Sequence, residues 1–312
     1  MLKAFLLIVV GLSGDPEHGV LFHKWGATMA EASAQVGVTK DRLVYLVDQQ
    51  GEDDKLATGK STKEEILKAL SGFAKTAAAD DVVYVMLFGH GSFNNGTALF
   101  NLPGPDIGPA DFNAAFKALP VKNIVFVDTT SASAPFLEAL SGPGRTIITA
   151  TRSGAEQFAT LFGGRFVEAF TQPEADADRN QRISMLEAYQ YAKNGVTRAY
   201  ETAGLLAAEH SMLDDNGDKQ GSADPSLAGP DGKMAAALSL GSAADAQPLP
   251  QDPKLRQLYV ERRELEGRVE ALRLMKESMP PAQYTSQLEK LVTDLALKTR
   301  EIRTLEGTGS PR

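Results

Sequence analysis

The sequence predicts an α/β domain with a mainly parallel sheet, followed by two charged helices that fold back on each other as an antiparallel hairpin. Three apolar runs carry the first part. Val82 to Phe88 precedes Gly89-His90-Gly91-Ser92, Ile124 to Val127 precedes Asp128-Thr129-Thr130-Ser131, and Thr146 to Ala150 precedes Thr151-Arg152-Ser153. Short β-branched and aromatic runs bounded by Gly, Asp and Ser read as buried strands, and the amphipathic segments between them make β-α-β units. In such sheets the carboxyl ends of the strands share one edge, where ligands bind, so His90, Thr130 and Arg152 are expected to meet there.

In chain order, Ala4 to Val10 is the first strand. The same run after Met1-Leu2-Lys3 has the outline of a short signal peptide, but Gly11 to Asp15 offers no small-x-small cleavage site, and the strand reading is preferred. Residues 14–19 are expected to be a loop, with His18 and His23 as surface or helix-start residues. Residues 22–36 form a helix with Phe22, Trp25, Met29 and Ala30 on one face. Arg42 to Val47 is the second strand, and Ser61-x-x-Glu64 reads as a capping box opening a helix. Residues 93–108, rich in Gly, Asn and Pro, read as a long loop over the active edge. Helices follow near 111–119 and from Pro135, and another runs from Met185 to about Ala208.

A chain of 312 residues with 43% hydrophobic residues can bury a substantial core, as one large domain or two ordinary ones. The net charge of −8 argues against nucleic acid, which wants a basic face. No run is long enough to span a bilayer. There is no cysteine, which excludes disulfides and cysteine-based zinc sites.

A His-Gly-Ser after one strand and an Asp-x-x turn after the next, with Ala150-Thr151 ending a third and Gly163-Gly164-x-Phe166-x-x-Ala169-Phe170 beyond, resembles the caspase-like superfamily of cysteine peptidases. Bacterial proteins of the legumain-like family are the nearest likeness. Leu12-x-Gly14-Asp15-Pro16-Glu17 also resembles how such proteins open. The resemblance implies a caspase-like three-layer sandwich over residues 1–220, a peptide or protein ligand, and a periplasmic or secreted setting. In that family the nucleophile stands in a pattern like Asp-Ala-Cys-x-Ser-Gly. Here the matching stretch is Asp128-Thr129-Thr130-Ser131-Ala132-Ser133, with Thr130 where the thiol belongs.

With no sulfur nucleophile, two readings follow. Either the protein is an inactive peptidase homologue that keeps the cleft, or the hydroxyl of Thr130 or Ser131 works with His90 as base. A hydroxyl nucleophile needs a base and usually a group that orients the imidazole, which favours the first. Gly91, Ser92, Asp128, Thr151, Arg152 and Ser153 are the expected oxyanion and cleft residues. Arg152 would suit an acidic side chain. Taken singly, the same residues also read as ordinary turns and an N-cap, and a doubly wound binding domain fits the strand pattern too.

Asp176-x-Asp178-x-Asn180 with Glu187 matches calcium-loop spacing, but the sixth position is Gln181 where glycine is usual. Ser184-x-x-Glu187 is equally a capping box, so no cofactor is required, with calcium as the alternative. Residues 221–253, rich in Ala, Gly, Ser and Pro, read as a linker, within which Met234 to Leu240 suits a short helix or an edge strand. Residues 254–308 carry the hairpin: Leu258, Leu265 and Leu272 recur every seven positions, and Tyr284, Leu288, Leu291, Leu295 and Ile302 form the facing stripe. So thin a stripe wants a partner surface, in cis, in a second copy, or on another protein, and a scaffold acting through residues 254–308 is the remaining alternative.

Overall fold

A computed structural model describes residues 3–51, 54–242, 249–274, 276 and 279–308. The chain divides into a larger unit within residues 3–243 and a smaller one within 244–312. In the larger unit the elements are β1 (Ala4–Val10), α1 (Pro16–Gln35), β2 (Leu43–Val47), β3 (Gly59–Lys60), α2 (Lys63–Thr76), β4 (Val82–Phe88), β5 (Gly91–Asn94) and β6 (Thr97–Phe100). They continue with α3 (Pro109–Lys117), β7 (Asn123–Asp128), α4 (Ala134–Leu140), β8 (Arg145–Thr149), α5 (Phe162–Ala169), β9 (Arg182–Ser184), α6 (Met185–Ala203), β10 (Met212–Asp214), α7 (Lys233–Ala237) and β11 (Ser239–Ser242).

Seven strands form the central sheet in the order β10-β8-β7-β4-β1-β2-β3, parallel except for β10 on the β8 edge. All seven residues of both β1 and β4 are buried. That explains their unbroken apolar sequences: a parallel strand covered on both faces has no solvent side to alternate with. On one face, Phe5, Leu7, Val9, Val83, Val85, Leu87 and Phe126 pack with Ile66, Leu70 and Phe73 of α2, Phe112 and Phe116 of α3 and Phe136 of α4. The Phe126 ring lies 5.1 Å from Phe112 and is stacked at 5.8 Å on Phe136. The opposite face packs against α1, which also meets α5, and α5 in turn meets α6. Gly26 lets α1 sit close to the sheet, since a Cβ there would come within 2.7 Å of Val10 and 2.8 Å of the Tyr45 hydroxyl. The Trp25 ring fills the space left by Gly163 and Gly164 of α5. The result is an α/β sheet between two helical layers.

Several expectations are corrected. Helix α1 begins at Pro16 rather than 22, because Asp15 accepts the His18 N–H as N-cap and proline at the first helical turn sacrifices no hydrogen bond. The cap of α2 is Thr62, which accepts the Glu65 N–H, while Ser61 is buried one residue earlier. The expected loop over residues 93–108 opens with the antiparallel hairpin β5-β6, turned by Asn95 and Gly96 at φ 51° and 79°. An Asn-Gly pair at positive φ is the favoured two-residue hairpin turn. Helix α6 stops at Ala203 because Gly204, at φ 67°, closes it with a left-handed cap.

The reading of 221–253 as a linker fails over residues 221–242, which are built into the larger unit. Gly232 and Ala235 N–H groups donate to the buried Asp215 carboxylate, β11 pairs with β9, and the Tyr84 hydroxyl of the central sheet donates to the Ser239 carbonyl. Small residues there serve close packing rather than flexibility. Residues 243–248 lie outside the described residues.

In the smaller unit, α8 (Pro253–Leu274) and α9 (Pro281–Thr308) bury Val269 and Leu272 against Leu291, with Leu265, Tyr284 and Leu288 around them. Lys298 pairs with Glu261 at 2.8 Å and the Tyr259 hydroxyl meets Glu306 at 2.5 Å. Among the described residues no helix is long and apolar enough to cross a membrane.

Replacing Phe126 by alanine removes the ring at the centre of the α2-α3-α4 layer. It is expected to cost about 3–5 kcal/mol in urea denaturation at unchanged fold.

Candidate functional site

Parallel pairing of β4 with β7 and of β7 with β8 fixes what meets at the carboxyl-end edge. Leu87 faces Asp128, and Asp128 faces Thr149, so the segments that follow, His90-Gly91, Thr129-Thr130-Ser131 and Thr151-Arg152, emerge side by side. The closest approach is at Gly91. A Cβ on it would lie 2.2 Å from the Ser131 carbonyl oxygen and 2.6 Å from Thr130 Oγ1, so only glycine lets this backbone pass over the turn. The Ser131 hydroxyl donates back to the Gly91 carbonyl at 3.2 Å.

Beneath the turn sits Asp128, fully buried. Its Oδ1 accepts both the Thr130 N–H, at 3.0 Å, and the Thr130 hydroxyl, at 2.7 Å. Among the described residues its buried Oδ2 has no hydrogen-bond partner. Burial pushes the carboxyl pKa up to about 6, against the opposing pull of the two Thr130 donors. Thr130 is 1% exposed and Ser131 4%. The turn ends in Ala132 at φ 56°, a left-handed conformation unusual for a residue with a Cβ, and its N–H is taken by the Glu156 carbonyl at 2.8 Å.

His90 shares this edge, and its Nε2 is turned to the loop after β1. Nε2 lies 2.9 Å from the Ser13 carbonyl oxygen, which can only accept, so Nε2 carries the hydrogen and Nδ1 is the acceptor of the neutral ring. The ring makes edge contacts with His18 at 4.8 Å and Phe22 at 5.1 Å. Burial, and the proximity of His18, hold its pKa below the ordinary histidine value. Among the described residues no hydrogen bond joins the His90 ring to Thr130 or Ser131.

The remaining cleft residues divide in two. Ser92 donates to Asn101 at 3.1 Å within the β5-β6 hairpin, and buried Thr151 accepts the Ala134 N–H and contacts Ser133. Arg152 is exposed, its Nε 3.2 Å from Glu156, and the Ser153 carbonyl accepts the Glu156 N–H. Glu156 and His210 are site residues that the sequence did not single out. One Glu156 oxygen lies 2.7 Å from His210 Nδ1, and the other accepts the backbone N–H groups of Arg152 and His210. Fifty-four positions separate the pair, and no local pattern announces it.

The acidic loop before α6 lies elsewhere on the chain. Carboxylate oxygens of Asp176, Asp178 and Glu187 lie within 4.8 Å of one another, and Gln181 adopts φ 66° at the sixth position. Each acid is already used. Asp176 accepts the Asn180 and Gln181 N–H groups, and Asp178 accepts from both the Asn180 backbone and side chain. Glu187 takes Ala177 and Asp178 N–H groups on one oxygen and the Ser184 N–H and hydroxyl on the other.

A carboxyl whose pKa is raised on folding contributes stability below its unfolded value and loses it as pH rises through the folded one. For Asp128 that window runs from about pH 4 to about pH 6. Asp128→Asn keeps an acceptor for Thr130 and removes the titration. Denaturation of both proteins across this window should show the variant gaining about 2–3 kcal/mol on the wild type by pH 7. No family model and no curated protein matches the chain.

Proposed function

We propose that the protein is a caspase-like, legumain-like peptidase homologue that no longer cleaves and instead binds an extended peptide or protein segment through the old cleft. The larger unit would be its three-layer sandwich, and the two C-terminal helices an antiparallel hairpin added to it. The observation that carries this reading is Thr130 itself, at the nucleophile position, 1% exposed with its hydroxyl held on the buried Asp128. Its hydroxyl is donated to the buried Asp128 carboxylate rather than to an imidazole, and a side chain so covered offers a substrate carbonyl no approach. The Thr130 N–H, one of the groups an oxyanion would need, is spent on Asp128.

The ligand chemistry is read from Arg152, an exposed guanidinium held by Glu156 at the edge where the strands converge. An acidic side chain suits it. Cleavage of a diverse peptide library by the purified protein, abolished by Thr130→Ala or His90→Ala, would establish the enzyme reading instead. The expected outcome is no cleavage by the wild type and binding of an acidic peptide, weakened about threefold to tenfold by Arg152→Glu. Cleavage by Thr130→Cys alone would mean that the cleft still positions a substrate and lacks only the thiol.

For the loop before α6, the hydrogen bonds support a cap on the helix rather than a calcium site, because calcium would have to displace N–H donors from both Glu187 oxygens. Millimolar calcium is then expected to leave the melting temperature unchanged. Glu187→Ala should cost about 1 kcal/mol with or without the ion.

A further inference from the structure

His23, on α1, has a carboxylate oxygen at each ring nitrogen. Nδ1 lies 2.6 Å from Asp54 Oδ2 and Nε2 lies 2.7 Å from Asp48 Oδ1. Asp48 follows β2 directly, and Asp54 stands in the connection between β2 and β3. A neutral imidazole offers one N–H and one lone pair, so it can satisfy one such contact and must repel the other. Two contacts of this length require either a proton on both nitrogens or a protonated carboxyl.

The surroundings place the proton on the ring. Asp54 Oδ2 also accepts the Gly51 N–H at 2.8 Å, Asp54 Oδ1 accepts the Tyr45 hydroxyl, and Asp48 Oδ1 accepts the Gln49 N–H at 2.8 Å. Both acids are thus surrounded by donors, the setting of ionised carboxylates rather than of a carboxyl hydrogen. Among the described residues, the charged and titratable groups that face the ring are Asp48 and Asp54, with Tyr45 of β2 behind Asp54. On α1 itself, the neighbouring imidazole of His18 is turned away to Asp15 and His90.

We infer that His23 is an imidazolium clamp tying the β2–β3 connection to α1 at the carboxyl-end rim of the sheet, and that the clamp is a pH-sensitive switch released when the ring loses its proton. The neutral ring keeps a single N–H, so one of the two carboxylates, both buried or nearly so, is left facing a lone pair and the two-sided tie to α1 is lost. The loosening is read at two amides between these acids and β3: the Ala57 N–H bonds to the Asp54 carbonyl, and the Thr58 N–H to the Tyr45 carbonyl.

The direction of the pH dependence follows from the ring. Burial works against its charged form, but the hydrogen bonds to Asp54 and Asp48 and the attraction of both acids outweigh it and hold the pKa above the ordinary 6.5. The clamp's contribution is therefore complete below about pH 6.5 and is lost as pH rises through the higher folded value.

The test uses the full chain. Long-range proton–nitrogen NMR of His23 at about pH 6.5 should show both nitrogens protonated, and amide exchange at Ala57 and Thr58, corrected for the intrinsic rate, should lose about tenfold in protection as the ring titrates. His23→Gln should start at the low level and stay flat with pH. A single-tautomer pattern at pH 6.5, or protection in the wild type that runs parallel to the variant's at every pH, would overturn the clamp. If His23→Gln does not fold, the ring spectrum of the wild type decides alone.

Discussion

The carboxylate of Asp128, sealed under the end of β7, is the constraint to which the rest of the site answers. A charge in that position is costly, and the hydrogen bonds available to relieve it both come from one residue, the N–H and O–H of Thr130. Satisfying one oxygen in this way curls the chain back over the strand end. The curl drives the Ser131 carbonyl against Gly91 and throws Ala132 into a left-handed conformation. The pKa of about 6 says that the relief is partial: desolvation still outweighs the two donors. The turn's shape, the glycine after His90 and the burial of both hydroxyls are thus consequences of one buried acid.

The imidazoles along the same rim show how differently neighbouring histidines are used. His90 is packed among Phe22, His18 and the Ser13 carbonyl, an environment with one acceptor and no carboxylate in contact, so burial favours its neutral form. His23, five residues beyond His18 on α1, sits between two acids and is favoured as a cation. Helix α1 carries both environments on successive turns, since His18 and Phe22 lie four apart and share a face while His23 points toward β2. Burial opposes the charged form of both rings, and the two acids at His23 are what reverse the balance there.

Much of the frame was legible in the chain itself because it obeys local rules. The seven-residue apolar runs of β1 and β4 read as strands covered on both faces, and the placing of His90, Thr130 and Arg152 at one edge follows from parallel connection. The misses have particular physical causes. Asp15-Pro16 is itself a start signal, an acid N-cap followed by proline, but Gly14 and Gly19 on either side of it give the stretch the look of a loop. Asn95-Gly96 is likewise a hairpin signal, obscured by the prolines and glycines that follow it. Residues 221–242 mislead for a different reason: their small side chains look like a linker, while the groups that anchor them lie outside the segment, Asp215 just before it and Tyr84 155 positions from Ser239. The same holds for Glu156 with His210 and for His23 with Asp54, where each residue is unremarkable alone and only the fold makes the pair.

The choice of threonine at position 130 can be weighed against that buried acid. A cysteine thiol is a weak hydrogen-bond donor, so a chain carrying cysteine here would leave Asp128 with one good donor instead of two and a still less favourable charge. Threonine reverses that trade. Its hydroxyl satisfies the carboxylate, and the β-branch restricts χ1 so that the oxygen is presented to Asp128 rather than outward. The geometry that best stabilises this turn is therefore also the one that buries the hydroxyl, leaving Thr130 1% exposed. Threonine at this position serves as a support for the edge at which Arg152 and the β5-β6 hairpin stand.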